Sequence, residues 1–268
     1  MRIYNILPAG SERIVIYGLY MDHIGRIRSI TLLICVLVGM MLGVDRSSAI
    51  AFESVRTGEI NQCRSGELAT WGDGKDRPAI SSFLRFTYNP ADAPSWFAKS
   101  LVTGMITKST AAWSQCGVRS WMVDWNSIKD KARQDDVIKI QWSDKDSLGN
   151  FGLANLSKRT LSLGPKAFQL LKTVNPTYDS RETLQMVISH EMGHFFGLMA
   201  HSRRCVDVLS YYDNGKGEKC YSRDPAEIGE VIEYRYVLPT ACDIERCRII
   251  NGKPPLVDGR LAERPRSE

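Results

Sequence analysis

Three of the four histidines in this chain lie within twelve residues of one another, at a spacing suited to binding one metal ion. Residues 190–201 have the pattern H-E-x-x-H-x-x-G-x-x-x-H. On a helix, His190 and His194 lie one above the other on the same face. Gly197 can adopt the left-handed backbone conformation that ends a helix, which allows the chain to turn and bring His201 to the other two. Three neutral imidazoles that leave a fourth position open are typical of a catalytic zinc ion.

Glu191 directly follows the first of these histidines and places a carboxylate beside the predicted zinc site. It is offset around the helix from His190 and His194, so it is free to accept a proton from water in the open position. Two histidines on one helix face are more often surface or core residues, but the extended pattern also specifies the glutamate, the glycine and the third histidine. The pattern therefore predicts hydrolysis by a metal-activated water, with Glu191 as the base and then the acid.

The composition is that of an ordinary globular protein and argues against a nucleic-acid partner. The chain has 268 residues, of which 43% are hydrophobic and 24% are charged. Its net charge is +5, and its basic residues are interspersed with acidic ones. A nucleic-acid-binding protein would concentrate its basic residues on one face or in runs. We therefore expect no nucleic acid among the partners of this protein.

The N-terminus has the layout of a secretory signal. Two arginines precede an apolar stretch over residues 30–44, and a small-x-small sequence ending at Ala51 follows. The apolar stretch is shorter than the ~20 residues that span a bilayer, so cleavage after Ala51 is favoured over a membrane anchor. Residues 1–51 are thus predicted to be a signal peptide, although Met21 would be a more typical start. The mature protein is expected to be secreted or periplasmic, without a stable membrane anchor.

Cleavage at that position would leave six of the seven cysteines, and an even number in an exported chain indicates three disulfides. Many pairings of six cysteines are possible. Proximity in the sequence favours Cys205–Cys220 and Cys242–Cys247, which leaves Cys63 to pair with Cys116.

The rest of the sequence predicts a sheet and further helices around the histidine pattern. The aromatic-rich or alternating runs that predict strands are Phe83–Tyr88, Trp121–Trp125, Val137–Trp142 and a pair of short strands within Asn150–Gly164. Apolar residues at helical spacing predict a long helix over residues 91–115. All six tryptophans lie between residues 71 and 142, which indicates a core between helix and sheet.

Capping residues predict where two other helices begin. Asp179 precedes the helix that carries the histidines, and Glu182 follows three residues later, so the two are suited to form a capping box. Asp224 is followed by proline, which is favoured in the first helical position, and predicts a helix that continues to about Tyr234.

The sequence around the histidines resembles the metzincin metalloendopeptidases. In that family a tight turn carrying a methionine passes beneath the metal. Leu209 has that position here, eight residues after His201, a spacing like that of the matrixins, which also commonly have a serine where Ser202 stands. Two features depart from the family: one extra residue precedes His201, and Leu209 replaces the methionine. Leucine for methionine is nearly volume-conserving, so we expect zinc binding to survive.

Tyr211 matches the tyrosine that astacins and serralysins place near the metal. The resemblance implies that its hydroxyl donates a hydrogen bond to the oxyanion formed during hydrolysis. A hydroxyl that is simply packed under the cleft fits the sequence equally well.

The resemblance also implies the fold: an α+β, metzincin-like zincin domain over residues 83–250, with a twisted mixed sheet, an active-site helix and a small C-terminal subdomain. In metzincins an edge strand pairs with the backbone of the protein or peptide substrate. Residues 152–156 are the candidate for that strand, although their alternation fits an internal strand as well. An irregular, polar lead-in over residues 52–82 is predicted before the domain, and a disordered tail over residues 251–268 after it.

Cys63 has two interpretations. Its thiolate could occupy the open zinc position, as a cysteine does in matrixin pro-segments. The residues around Cys63 lack the full motif of those pro-segments, and the even number of cysteines favours a disulfide.

The sequence thus predicts a secreted zinc-dependent endopeptidase that acts on a protein or peptide substrate. The alternatives are a non-catalytic zinc-binding module that kept the metzincin fold, and a metalloenzyme with another kind of substrate. Glu191 favours an enzyme, because a structural zinc ion needs no base and is usually closed by a fourth ligand.

Overall fold

A computed structural model of the chain describes residues 55–124, 136–211, 213–229 and 233–261. The predicted signal peptide, residues 1–51, lies outside the described residues, as does the end of the tail from residue 262. The described part begins with a helical segment over residues 55–61 and continues, mostly without regular elements, to the first strand.

A five-stranded sheet forms the centre of the structure. In chain order its strands are β1 (Phe83–Tyr88), β2 (Arg119–Met122), β3 (Val137–Trp142), β4 (Gly152–Asn155) and β5 (Thr160–Leu163). Their order across the sheet is β2-β1-β3-β5-β4. Strands β1, β2, β3 and β5 are parallel, and β4 is antiparallel to β5. The twisted sheet is therefore mixed, as predicted, and β4 lies at one edge.

The predicted strands agree closely with this sheet. β1 and β3 have the predicted bounds, and the predicted pair within residues 150–164 forms the β4–β5 hairpin. β2 lies two residues earlier than predicted, and residue 125 is outside the described part. One face of β3 is fully buried, whereas on the other face Val137 is buried, Gln141 is half-buried and Lys139 is exposed.

Five α-helices have defined bounds: α1 (Lys99–Trp113), α2 (Asp144–Ser147), α3 (Pro165–Val174), α4 (Ser180–Phe195) and α5 (Ala241–Ile250). α1 begins later than predicted from the apolar spacing over residues 91–115. Asp92 has a left-handed backbone, with φ of 61°, and Pro94 disfavours helical conformation in the residue before it. The chain therefore turns at this point and enters the helix only at Lys99.

Two capping predictions have different outcomes. Asp179 caps α4 as predicted, since its carboxylate accepts a hydrogen bond from the backbone N–H of Arg181 at 3.0 Å. The hydrogen bonds of the described residues do not include the return bond to the Glu182 side chain that would complete the predicted capping box. The helix predicted from Asp224 to about Tyr234 is wrong: residues 225–229 form a 3₁₀ turn, and Tyr234 is not helical. Tyr234 turns inward instead, and its hydroxyl donates to the buried Glu59 carboxylate at 2.7 Å.

The core lies between the sheet and the helices α1 and α4. Phe86 of β1 meets Phe195 of α4 edge to face, and Trp113 of α1 stacks on Phe196. The indole N–H of Trp113 also donates to the backbone carbonyl of Ser189 at 3.0 Å. These contacts set the position of α4 against α1 and the sheet. Trp113 is buried in this core as predicted, whereas Trp121 is 40% exposed.

Three disulfides join the chain, but only one of the predicted pairs is correct. Cys205–Cys220 is confirmed, and the other two bonds are Cys63–Cys242 and Cys116–Cys247. The predicted Cys242–Cys247 pair fails because both residues lie on α5, where five residues rise about 7.5 Å. That exceeds the Cα separation that a disulfide usually spans. Because Cys63 is disulfide-bonded, the structure does not support the interpretation of its thiol as a latch.

The part of the tail that the structure describes, residues 251–261, is hydrogen-bonded to other residues and is not disordered as predicted. The backbone N–H of Cys63 donates to Gly259 O at 2.8 Å, and that of Leu261 donates to Asn61 O at 3.1 Å. Residues 251–261 are thus attached to the beginning of the described chain. Within the described ranges, no helix combines the length and the apolarity that crossing a membrane requires.

Candidate metal centre

The three histidines meet where α4 ends and the chain reverses. α4 carries His190 and His194 one turn apart, and the backbone leaves the helix at Gly197, where φ is 102°. The segment that follows brings His201 back beside the helix. One ring nitrogen from each imidazole lies within 4.8 Å of one from each of the others. The structure therefore places the three predicted ligands at distances suitable for sharing one metal ion.

Each imidazole is oriented through its Nδ1 atom by a different acceptor. Nδ1 of His190 lies 2.7 Å from Val208 O, and Nδ1 of His194 lies 2.7 Å from Leu198 O. Nδ1 of His201 lies 2.6 Å from the Asp73 carboxylate. A carbonyl can only accept a hydrogen bond, so the Nδ1 atoms of the first two carry the proton, and the Nε2 lone pairs remain available.

The donor set fits a zinc ion. Nε2 of His201 is buried and has no hydrogen-bond partner among the described residues. A buried polar atom without a partner is rare in proteins, and an ion bound at this position would account for it. Three imidazole nitrogens with a vacant fourth position are a common set of ligands for catalytic zinc.

Burial keeps the imidazoles of His190 and His201 neutral, which is the form that binds a metal. It lowers the pKa of His190 well below its ordinary value, and the nearby His201 and His194 lower it further. Burial, followed by the effect of His194, lowers the pKa of His201 to about 4. At neutral pH both rings are therefore deprotonated.

Two glycines allow the close packing on which the centre depends. A Cβ atom on Gly197 would lie 1.9 Å from the backbone oxygen of Arg77, so no larger residue fits there. A Cβ atom on Gly193 would lie 2.6 Å from Leu209 Cδ2. Leu209 is fully buried beneath α4, and its carbonyl accepts a hydrogen bond from the backbone of Ser202 at 2.8 Å. Leu209 thus packs as a buried apolar side chain against α4, and we call this residue the floor.

Glu191 is buried next to the three histidines and contacts the edge of the sheet. Its Oε2 accepts a hydrogen bond from the backbone N–H of Ala154 in β4 at 2.8 Å. Burial raises the pKa of its carboxyl group, although His194 and the Ala154 N–H act in the opposite direction. A Cβ atom on Gly152 would lie 2.8 Å from Glu191 Cγ. β4 therefore packs directly against the predicted base.

Tyr211 lies over the third histidine. Its ring stacks on His201, with 3.8 Å between the ring centroids and 23° between the ring planes. Burial raises the pKa of its hydroxyl group, followed by the nearby Asp73 and Glu191 carboxylates. The structure thus brings Tyr211 to the candidate site, with its hydroxyl protonated at neutral pH.

The sequence prediction missed three charged residues that contact the turn before His201: Asp73, Asp76 and Arg246. Asp73 accepts from the backbone N–H of His201 at 2.9 Å as well as contacting its ring. Asp76 accepts from Met199 N and pairs with the Arg246 guanidinium at 2.9 Å. The available signal was the D-G-K-D spacing of residues 73–76, which nothing in the sequence links to the histidines.

A second buried carboxylate, that of Asp243, binds the backbone of the residue before Leu209. Asp243 Oδ2 accepts from the backbone N–H of Val208, whose carbonyl faces His190, at 2.9 Å. Burial, and then the neighbouring Asp207 carboxylate, raise the pKa of Asp243 to about 7. Asp243 Oδ1 has no hydrogen-bond partner among the described residues.

Comparisons with known proteins give a weak structural likeness only. No protein-family model matches the chain, and no curated protein matches it. One solved structure that resembles it is described as the GM1-bound form of the ECX AB5 holotoxin, with 12% identity and a TM-score of 0.41, covering 71% of this chain and 91% of the other. Another is a zinc-dependent peptidase from Methanocorpusculum labreanum strain Z, with 12% identity and a TM-score of 0.29, covering 54% of this chain and 98% of the other.

These scores are too low to support an argument about function. The candidate site itself consists of a buried carboxylate and three imidazoles at metal-binding distance, on a mixed α/β fold.

Proposed function

We propose that this protein is a zinc-dependent endopeptidase of the metzincin type. The observation that carries the proposal is the cluster of three imidazoles, each held through Nδ1, beside the buried Glu191 carboxylate. The same four residues form the H-E-x-x-H-x-x-G-x-x-x-H pattern of the sequence. Pattern and geometry thus agree on one site.

His190, His194 and His201 would hold the zinc ion. When bound, zinc polarises the scissile carbonyl and lowers the pKa of water towards ~7. Glu191 accepts a proton from the attacking water and then donates it to the leaving amine. Burial raises its pKa, which makes the carboxylate a stronger base for the first of these steps. No covalent intermediate with the enzyme is required.

Tyr211 is proposed as a hydrogen-bond donor to the oxyanion. Its ring is fixed against His201, and its hydroxyl keeps its proton at neutral pH because burial raises its pKa. A donor aimed at the developing negative charge lowers the barrier to hydrolysis.

The edge of the sheet is proposed to bind the substrate backbone. Among the described strands, β4 pairs only with β5, and the N–H of Ala154 points to the other side, towards Glu191. In a strand the N–H and the C=O of one residue point the same way, so the Ala154 carbonyl faces that side as well. An extended peptide that adds to this edge would lie next to the base. The substrate class that fits is therefore an extended protein or peptide segment.

Two alternatives remain to be separated from this proposal by experiment. A non-catalytic zinc-binding module would not need Glu191, because a structural zinc ion requires no base. A hydrolase for another kind of substrate would use the same four residues. The Ala154 carbonyl on this side of β4 favours a peptide.

The test is zinc-dependent cleavage of an unfolded protein such as casein. We expect Glu191→Ala and the isosteric Glu191→Gln to keep one zinc ion and to lose ~10²–10⁴-fold in turnover, because the base is removed and the ligands stay. His194→Ala is expected to lose both zinc and turnover. Zinc content is measured by elemental analysis of the same samples.

This experiment separates the proposal from both alternatives. Wild-type protein that binds zinc but cleaves no peptide would indicate the binding module or a hydrolase for another kind of substrate. If the Glu191 variants cleave as fast as wild type, the assignment of the base is wrong.

We also infer that the protein acts outside the cytoplasm, in the periplasm or the extracellular medium. Three disulfides support this, because such bonds persist in oxidising compartments. N-terminal sequencing of the exported protein is expected to begin at Phe52, directly after the predicted cleavage site. An exported chain that keeps residues 30–44 would contradict the predicted cleavage.

A further inference from the structure

We propose that Asp73 is a positioning residue for the third metal ligand, and that residues 69–80 form a bracing segment for the turn that carries it. The proposal rests on the metal centre described under Proposed function. It assigns a role to a segment that the sequence predicts to be an irregular lead-in.

Asp73 fixes His201 at two atoms. Its Oδ1 accepts from the backbone N–H of His201 at 2.9 Å, and its Oδ2 contacts the ring Nδ1 at 2.6 Å. One carboxylate therefore sets both the backbone position and the ring orientation of the same residue. With Nδ1–H bound to a carboxylate, the Nε2 lone pair is directed to the cluster and becomes more basic.

Asp76 holds the two residues that precede the ligand. Its Oδ1 accepts from the backbone N–H groups of Met199 and Ala200 at 2.8 and 2.9 Å. The Arg246 guanidinium pairs with this carboxylate and also donates to Ala200 O. A Cβ atom on Gly74, between the two aspartates, would lie 2.3 Å from Met199 O. The bracing segment thus lies in direct backbone contact with the turn.

Backbone hydrogen bonds extend this contact to both sides. They join Arg203 N to Ala69 O, Trp71 N to His201 O, Arg77 N to Gly197 O and Ile80 N to Phe195 O, at 2.9 to 3.2 Å. The bracing segment therefore lies beside the chain from the end of α4 to the residues that follow His201.

The need for such support follows from where the ligands lie. His190 and His194 belong to a buried helix, and backbone carbonyls are sufficient to orient their rings. His201 lies beyond the helix, on a turn that is one residue longer than in the family pattern. Hydrogen bonds to an ionised carboxylate are roughly twice as strong as neutral ones. Asp73 and Asp76 supply these bonds at the position where the helix no longer fixes the backbone.

The variant that tests this is Asp73→Asn, which keeps the size of the side chain. An amide presents one acceptor and one donor, so it cannot accept from both His201 N and Nδ1–H. If its NH₂ group faces Nδ1, the ring takes the tautomer with hydrogen on Nε2, which cannot bind a metal. We expect zinc affinity to fall ~10- to 100-fold, measured by competition with a chelating dye. The visible spectrum of the Co²⁺-substituted protein is expected to change as well.

Asp76→Asn is the matched control. It weakens the same turn through Met199, Ala200 and Arg246 but leaves the acceptor of the His201 ring in place. A positioning role predicts a larger loss of zinc affinity in Asp73→Asn than in Asp76→Asn, at an equal or smaller loss of thermal stability in the metal-free proteins. A merely structural role predicts losses of affinity in proportion to the losses of stability.

A measurement on the wild-type protein tests the proposal even if Asp73→Asn does not fold. In metal-free protein labelled with ¹⁵N at histidine, the ring of His201 is expected to be the tautomer with hydrogen on Nδ1. A predominant Nε2–H tautomer would overturn the proposal. So would a variant Asp73→Asn that keeps wild-type zinc affinity and an unchanged Co²⁺ spectrum. Wild-type protein that binds no zinc would instead refute the proposed function, while the tautomer would still test the role of Asp73.

Discussion

At the scale of single residues, the candidate centre depends on side chains that do not contact a metal. Leu209 and Gly193 illustrate this, because the leucine packs so closely under α4 that a methyl group on the glycine would overlap it. A larger residue at position 193 would therefore shift the helix that carries two of the imidazoles, or Leu209 itself.

The floor can be tested by substitution of Leu209. We expect Leu209→Met to lower the free energy of unfolding by less than about 1.5 kcal/mol, because the volume is nearly conserved. Leu209→Ala is expected to lower it by about 2–5 kcal/mol, because it leaves a cavity in a fully buried site. Urea unfolding monitored by tryptophan fluorescence measures both. Equal losses in the two variants would show that the floor is not tightly packed.

Asp243 makes stability depend on pH. Because its pKa is raised to about 7 in the folded protein and is about 4 in an unfolded chain, the folded state binds more protons between these values. The contribution of the neutral carboxyl group is therefore fully present below about pH 4 and is lost as the pH rises towards 7. Its slope is at most about 1.4 kcal/mol per pH unit.

The expected result is that Asp243→Asn, which imitates the neutral acid, removes this contribution. The difference in unfolding free energy between the variant and wild type should shift in favour of the variant as the pH rises from 5 to 8. Urea unfolding at several pH values measures it. A difference that is constant across this range would mean that Asp243 is ionised throughout.

At the scale of elements, the site is assembled from pieces that are far apart in the chain. α4 supplies two imidazoles and the base, β4 supplies the edge beside that base, and the bracing segment holds the third imidazole. The Cys63–Cys242 disulfide links the chain just before the bracing segment to the start of α5, which carries Arg246. A disulfide and an ion pair thus join α5 to the chain just before the bracing segment and to the bracing segment itself.

That disulfide is expected to contribute more to stability than Cys205–Cys220. Cys205 and Cys220 are only 15 residues apart, whereas Cys63 and Cys242 are 179 residues apart. With Cys116–Cys247 intact, the Cys63–Cys242 bond still closes a longer loop than the Cys205–Cys220 bond does. A longer loop restricts the unfolded chain more, so the double variant Cys63→Ser/Cys242→Ser should lose roughly 3–5 kcal/mol. The matched control is Cys205→Ser/Cys220→Ser, with an expected loss of about 3 kcal/mol. If the control is destabilised more, chain entropy does not explain the ranking.

At the scale of the whole molecule, a bound zinc ion would couple to folding. Such an ion would join α4 to the turn after it, and a ligand that binds only the folded state stabilises that state by mass action. The three disulfides act on the unfolded state instead, so the two effects are separable.

Removal of the metal is therefore expected to lower both activity and stability. With free zinc at about 1,000 times its dissociation constant, the stabilisation is about 4 kcal/mol. A chelator should abolish casein cleavage and lower the melting temperature, and added zinc should restore both. The variant His194→Ala serves as the control, since its melting temperature should not respond to zinc. A wild-type melting temperature that is insensitive to chelator would contradict a zinc ion at this site.

The sequence by itself determined the features that depend on near neighbours along the chain. Residues four apart on a helix share a face, so the positions of His190 and His194 follow from their spacing. Alternating and aromatic runs located β1 and β3, and Asp179 located the start of α4, because strand pleating and helix capping act over a few residues.

Only the tertiary structure decided which distant residues meet. The Asp73 carboxylate contacts a ring 128 residues away, Cys63 bonds to Cys242 rather than to Cys116, and β4 lies at the edge of the sheet. Such contacts leave no periodic signal, because they depend on how the packed elements are placed in space. The motif thus specifies which atoms can do the chemistry, and the fold specifies which groups hold them in position.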